Sequence, residues 1–182
     1  MSTIETKTLH LFLARGVTAI AWAAVFAAAS DSLTVGAAVL LVLYPLIDVV
    51  ASLIDARTQR GSARRVLLAG AATSAVAAIA LGIAATGSAA NVFAVFGVWA
   101  GLSGAAQLVV GLRRRAQLGK QWPMLLAGGG SVIFGLALLI ASTMANPMLS
   151  MLAIYAAGGG IDFVVQAWLL ARRGRRLAAA PA

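Results

Sequence analysis

The chain alternates long apolar runs with polar breaks, and the breaks are of two kinds. The runs at residues 11–29 and 33–54 are separated only by Ser30, Asp31 and Ser32, those at 66–86 and 90–112 by Gly87, Ser88 and Ala89, and those at 122–143 and 148–171 by residues 144–147. The breaks between one such pair and the next are longer and basic. At a rise of about 1.5 Å per residue each run makes a helix of roughly 30 Å, the thickness of a bilayer core. Breaks of three or four residues force antiparallel neighbours. The pattern therefore predicts an all-α, polytopic membrane protein of six transmembrane helices, arranged as three helical hairpins in a single integral membrane domain over 1–182. Pro123 and Pro147 fall where helices should start, where a missing N–H costs nothing.

Composition changes this picture little. The chain is 62% hydrophobic and 10% charged, with a mean hydropathy of +0.96, outside the range of soluble domains. Ala27, Ala28 and Ala29 would suit a signal peptidase, but the run before them is longer than the usual 7–15-residue signal core and holds Arg15. With no cysteine and only His10, thiolate chemistry, disulfides and histidine metal clusters have no residues to use. No cofactor and no metal are expected.

Charge sets an orientation. Of the fourteen Lys and Arg, only Arg15 lies within a run; the others fall in the N-terminal tail, the two longer loops and the C-terminal tail. Arg57, Arg60, Arg64 and Arg65 occupy one loop, Arg113, Arg114, Arg115 and Lys120 the other, and Arg172, Arg173, Arg175 and Arg176 the tail. By the positive-inside rule both termini are cytoplasmic and the three short turns face outward. The net charge of +9 is then topogenic, with the lipid bilayer and its anionic headgroups at the basic loops as partners and no nucleic acid implied. A homo-oligomer is compatible with this arrangement.

An internal repeat follows from the even-numbered helices. Asp48 with Ser52, Ser103 with Gln107, and Asp162 with Gln166 are polar pairs at i, i+4, each sharing one helix face; Asp48 and Ser103 lie 55 residues apart, Ser103 and Asp162 59. Each pair is followed by an arginine at Arg57, Arg113 or Arg172. Three hairpins of the same direction about an axis near the membrane normal would be the natural geometry. Small residues at four-residue spacing, such as Gly70, Ser74, Ala78 and Gly82, or Gly97 and Gly101, suit close backbone packing in lipid. The triplets at Gly128 and Gly158 read the same way. Trp122 and Trp168 read as interfacial belt residues, Trp22 and Trp99 as bundle-filling aromatics.

The charges inside the runs carry the most information, because each is costly in hydrocarbon. Arg15 and Asp48 fall roughly 8–10 Å inside the cytoplasmic boundary on adjacent antiparallel helices, and are expected to form an intramembrane ion pair. Pro45, one turn before Asp48, should free the carbonyl of Leu41 and favour a kink or an ordered water. Asp162 lies roughly 15 Å from Arg172, near the midplane, with no basic residue at its depth. It is either a proton-exchanging group or a structural acid bonded to Gln107, Gln166 or a backbone carbonyl.

Leu13, Ala14, Arg15, Gly16 and Val17 in the first helix, followed by Leu43, Tyr44, Pro45, Leu46, Ile47 and Asp48 in the second, resemble the repeat of the HdeD-like acid-resistance membrane proteins. That family is built from a short membrane repeat of unknown function. Ser103 departs from the repeat, since it stands where the first and third units have Asp. The resemblance spans essentially the whole chain. It implies a multi-pass protein of the bacterial inner (cytoplasmic) membrane linked to acid or envelope stress, with no catalytic residues to carry over.

Two functions stay open from these residues. One is a non-catalytic inner-membrane protein supporting stress tolerance; the other is a small channel or transporter moving protons or a small solute past Arg15, Asp48 and Asp162. The first is preferred, because three scattered charges are sparse for a solute path. An enzyme is not expected, for no nucleophile–base set, metal cluster or cofactor loop can be assigned.

Overall fold

The computed structural model describes residues 3–57, 59–118 and 122–178, and Lys120 lies outside them. Six helices follow one another: α1 (Thr3–Ala29), α2 (Val35–Ala56), α3 (Gly61–Ala84), α4 (Ala89–Leu118), α5 (Trp122–Ala141) and α6 (Ser150–Ala178). Five of them carry stretches long and apolar enough to cross a bilayer, which makes this a multi-pass membrane protein. In α5 the apolar stretch is Leu125–Ala141, about 26 Å, slightly short of the hydrocarbon thickness.

The helices run past the apolar stretches at their polar ends. Helix α1 begins at Thr3 rather than at residue 11, α4 continues to Leu118, and α6 to Ala178. Lys, Arg, Gln and Ala are all good helix formers, so a polar segment adjoining a helix extends it once the nucleus exists. The turn ends are sharper. Thr34 caps α2 by accepting from the Ala37 backbone N–H at 3.2 Å. At the other end of α2, Gly61 takes φ +60°, a left-handed conformation that only glycine adopts cheaply, and the chain reverses into α3. Helix α6 starts at Ser150, three residues beyond Pro147, after a turn through residues 142–149. Helix α2 runs unbroken through Pro45.

Each helix packs against two others, in the order α1, α2, α3, α4, α5, α6 and back to α1, so the six form a closed ring. Hairpin partners are neighbours, as their short turns require. The closest approaches, however, lie between hairpins: α4 with α5, α1 with α6, and α2 with α3.

Side-chain size explains why. At α1/α6 a Cβ placed on Gly16 would stand 2.8 Å from the Gly160 carbonyl oxygen, and one on Gly160 2.9 Å from that of Gly16. At α4/α5 a Cβ on Gly135 would meet the Gly97 oxygen and the Gly101 nitrogen, both at 2.7 Å. Alanine and serine dominate the buried faces of α2 and α3, at Ala37, Ala51, Ser52, Ala71, Ser74, Ala77 and Ala78. Where these small residues face a neighbour, backbones close to dispersion contact, which is the main attraction left in lipid. Within each hairpin, aromatic side chains hold the helices further apart.

The core is off-centre. Phe26, Leu41, Leu81, Val92, Phe93, Phe96, Leu138 and Leu152 are fully buried, and all lie in the half of the ring nearer the short turns. Towards the basic end Arg15, Asp48, Ser103, Gln107, Asp162 and Gln166 are half-buried. Outside, Val35, Val76, Ile79, Ile83, Ile133, Ile140 and Ile154 form an exposed apolar girdle suited to lipid. The three short turns meet at one end around an open concavity of about 640 Å³, lined by Ser30, Asp31, Ser32, Ser88 and Asn146 among others.

Candidate functional site

Asp48 is the hub of the polar groups inside the bundle. Arg15 Nη2 on α1 donates to its Oδ1 in an ion pair. Ser74 Oγ on α3 donates to its Oδ2 at 2.8 Å, and Trp99 Nε1 on α4 in turn donates to Ser74 Oγ at 3.0 Å. A chain of three hydrogen bonds thus ties four consecutive helices, and Ser74 both donates and accepts, leaving its hydroxyl satisfied. The Arg15 guanidinium also lies 4.5 Å from the centre of the Phe163 ring on α6, a cation–π contact that spreads its charge over a second surface. Both members of the pair keep some exposure, 16% for Arg15 and 28% for Asp48.

Above this chain, towards the turns, an aromatic cluster fills the ring. Tyr44 on α2 packs on Trp22 of α1 with ring centres 4.4 Å apart and on Trp99 of α4 at 5.7 Å. Phe96 on α4 meets Tyr155 on α6 edge-on at 5.4 Å, and Phe134 on α5 meets Tyr155 at the same spacing. Edge-on and offset pairs of this kind add to the area they bury. Polar tips find partners: Trp22 Nε1 donates to the Leu40 carbonyl at 2.8 Å, and Tyr155 Oη donates to Ser131 Oγ at 3.3 Å. The carbonyl engaged beside Pro45 is that of Leu40 rather than of Leu41.

The three looser seams are therefore each bridged by side-chain hydrogen bonds: Arg15 to Asp48 across α1/α2, Trp99 to Ser74 across α3/α4, and Tyr155 to Ser131 across α5/α6. Where small residues do not close a seam, a polar bridge does.

Of the residues singled out in the sequence, Arg15 and Asp48 come together, and Ser52 is buried one turn below Asp48. Asp162 and Gln166 bond to each other, the Gln166 Nε2 donating to Asp162 Oδ2. Asp162 bonds neither Gln107 nor any residue of another helix among those described. Ser103 and Gln107 are half-buried on α4, below Trp99, with no hydrogen bond between them. Trp168 is half-exposed with the Arg172 guanidinium 4.5 Å over its ring. Trp22 and Trp99 do fill the bundle, but both also donate hydrogen bonds.

The sequence pattern does not mark Ser74, Tyr44, Tyr155 or Ser131 as site residues. Tyr44 stands four residues before Asp48 on the same helix face, a spacing that marks it as a neighbour. Ser74 is the single hydroxyl in a column of Gly and Ala, which reads as packing until a partner is known. Comparison with protein-family models, with curated proteins and with solved structures finds no match, so the chemistry of the site rests on its geometry.

Proposed function

We propose that this is a non-catalytic protein of the bacterial inner membrane, crossing it six times with both termini in the cytoplasm, and that it supports tolerance of acid or envelope stress. Three related hairpins would build it, each contributing one glycine- or alanine-lined helix pair with its neighbour. The observation that carries the non-conducting part of this reading is the aromatic cluster: Trp22, Tyr44, Phe96, Trp99 and Tyr155 occupy the axis of the helix ring. A solute path along that axis would have to part these rings. Arg15 and Asp48 are engaged with each other and with Ser74 and Phe163, which suits groups that hold helices together. The link to acid stress rests on the resemblance of the segments around Arg15 and Asp48 to the HdeD-like repeat.

The test has two arms. Proteoliposomes loaded with a pH dye and placed across a pH gradient should dissipate it no faster than protein-free vesicles. Disruption of the gene in its host should lower survival after acid challenge. Protein-dependent proton or solute flux would replace this reading by a channel or transporter using Arg15, Asp48 and Asp162; unchanged acid survival would remove the stress role.

A further inference from the structure

The chain passes between helices differently at the two ends of the ring. At the turn end it joins α1 to α2, α3 to α4 and α5 to α6; at the basic end it joins α2 to α3 and α4 to α5. The closely packed seams are α2/α3, α4/α5 and α1/α6, so at the basic end both connections lie inside a packed pair. Two of the pairs meet backbone to backbone below the aromatic cluster: a Cβ on Gly16, Gly160, Gly104 or Gly128 would stand 2.6–2.9 Å from a carbonyl oxygen of the facing helix. Helices packed that closely move as one body.

From pair to pair the link is the hydrogen-bonded chain Arg15, Asp48, Ser74, Trp99. Arg15 belongs to the α1/α6 pair, Asp48 and Ser74 to α2/α3, and Trp99 to α4/α5, so three bonds reach all three pairs. Nearer the turns the pairs are joined more heavily. Trp22 packs on Tyr44 and donates to the Leu40 carbonyl, Tyr155 bonds Ser131, and Phe26, Phe93 and Phe96 are fully buried. The short turns add a covalent link across each of the three looser seams at that end. A seam crossed by one directional, half-exposed contact opens at lower cost than a seam closed by backbone packing.

From this arrangement we infer that the moving parts of the ring are the pairs α1/α6, α2/α3 and α4/α5 rather than the three hairpins, that they pivot at the turn end, and that the chain Arg15–Asp48–Ser74–Trp99 is the latch that keeps the basic half closed. Breaking the Arg15–Asp48 bond frees α1/α6 from α2/α3. Breaking the Ser74–Trp99 bond frees α4/α5 from α2/α3. In either case the pairs separate below the aromatic cluster, while the cluster and the concavity between the turns stay in place. The inference concerns how the ring opens, and it stands whether or not the chain supports stress tolerance.

The test measures distances between spin labels on the full chain in lipid nanodiscs by pulsed electron resonance, with cysteines introduced at exposed positions. Val17→Cys with Val50→Cys reads the α1/α2 seam in the basic half, and Val66→Cys with Val109→Cys reads α3/α4. Val50→Cys with Val66→Cys reads the inside of the α2/α3 pair, and Val25→Cys with Val39→Cys the turn end of α1/α2. Removing Arg15 and Asp48 together, as Arg15→Leu with Asp48→Leu, breaks the bond without stranding a charge. It should widen the Val17/Val50 distribution and move it to longer distance, with the other three unchanged. Ser74→Ala, which alters no charge, should do the same to Val66/Val109 alone, and it tests the latch even if the double variant folds poorly. Unchanged distributions at both basic-half seams would overturn the latch. Widening inside the α2/α3 pair or at the turn end to the same extent would overturn the rigid pairs and their pivot.

Discussion

At the scale of single residues, stability hangs on the chain Arg15, Asp48, Ser74, Trp99. Removing either charge strands the other in a partly buried setting, so Arg15→Gln and Asp48→Asn should each cost about 2 kcal/mol, the size of a charge-assisted hydrogen bond. The double variant should recover a good part of the summed loss, because neither charge is then left alone. Thermal melts in detergent followed by tryptophan fluorescence give all three values, and additive losses would argue against direct coupling. Ser74→Ala deletes no charge, yet it leaves the buried Trp99 N–H without an acceptor and should cost about 1–3 kcal/mol. Depth arithmetic along two antiparallel helices was enough to pair Arg15 with Asp48 from the sequence. It could not reveal Ser74 or Trp99, since a hydroxyl and an indole are cheap in a membrane and so leave no conspicuous cost in the pattern. Asp162 was legible as an acid without a basic neighbour, and of its candidate partners the structure pairs it with Gln166.

At the scale of elements, the helices were legible and their contacts were not. Apolar runs and polar breaks mark where each helix lies, because the bilayer demands length and apolarity of every span. Which face meets which neighbour depends on helix rotation, and adjacent glycines point 100° apart. Gly128 touches α4, while Gly129 and Gly130 beside it face open space. This yields a prediction of opposite signs from one substitution. Gly135→Ala would drive a methyl to 2.7 Å from two backbone atoms of α4, and should destabilise by roughly 1–3 kcal/mol or push α5 away. Gly70→Ala meets nothing, and should be neutral or stabilise by up to about 1 kcal/mol through helix propensity alone. Melting curves of the two variants decide it: equal effects would mean that the α4/α5 seam is not closed by glycine.

At the scale of the whole molecule, the ring places the three short turns at one end and the basic segments at the other. Residues 30–33, 88–90 and 145–150 all line the same concavity, although they come from three separate parts of the chain. That convergence requires the three hairpins to point the same way, and on the proposed topology the concavity would face outward. Because the protein contains no cysteine, single cysteines can be introduced without removing native ones. Asp31→Cys, Ser88→Cys and Asn146→Cys should each react with a membrane-impermeant maleimide in intact cells, whereas Arg60→Cys should react only after lysis. A pair such as Ser32→Cys with Asn146→Cys should in addition be joined by a short bifunctional reagent, since both line the one concavity. Protection of any single turn in intact cells would show that its hairpin is inverted or fails to cross. Labelling of all three without cross-linking would keep the topology but break the ring, and with it the geometry that brings Tyr44, Trp99 and Tyr155 to a common axis.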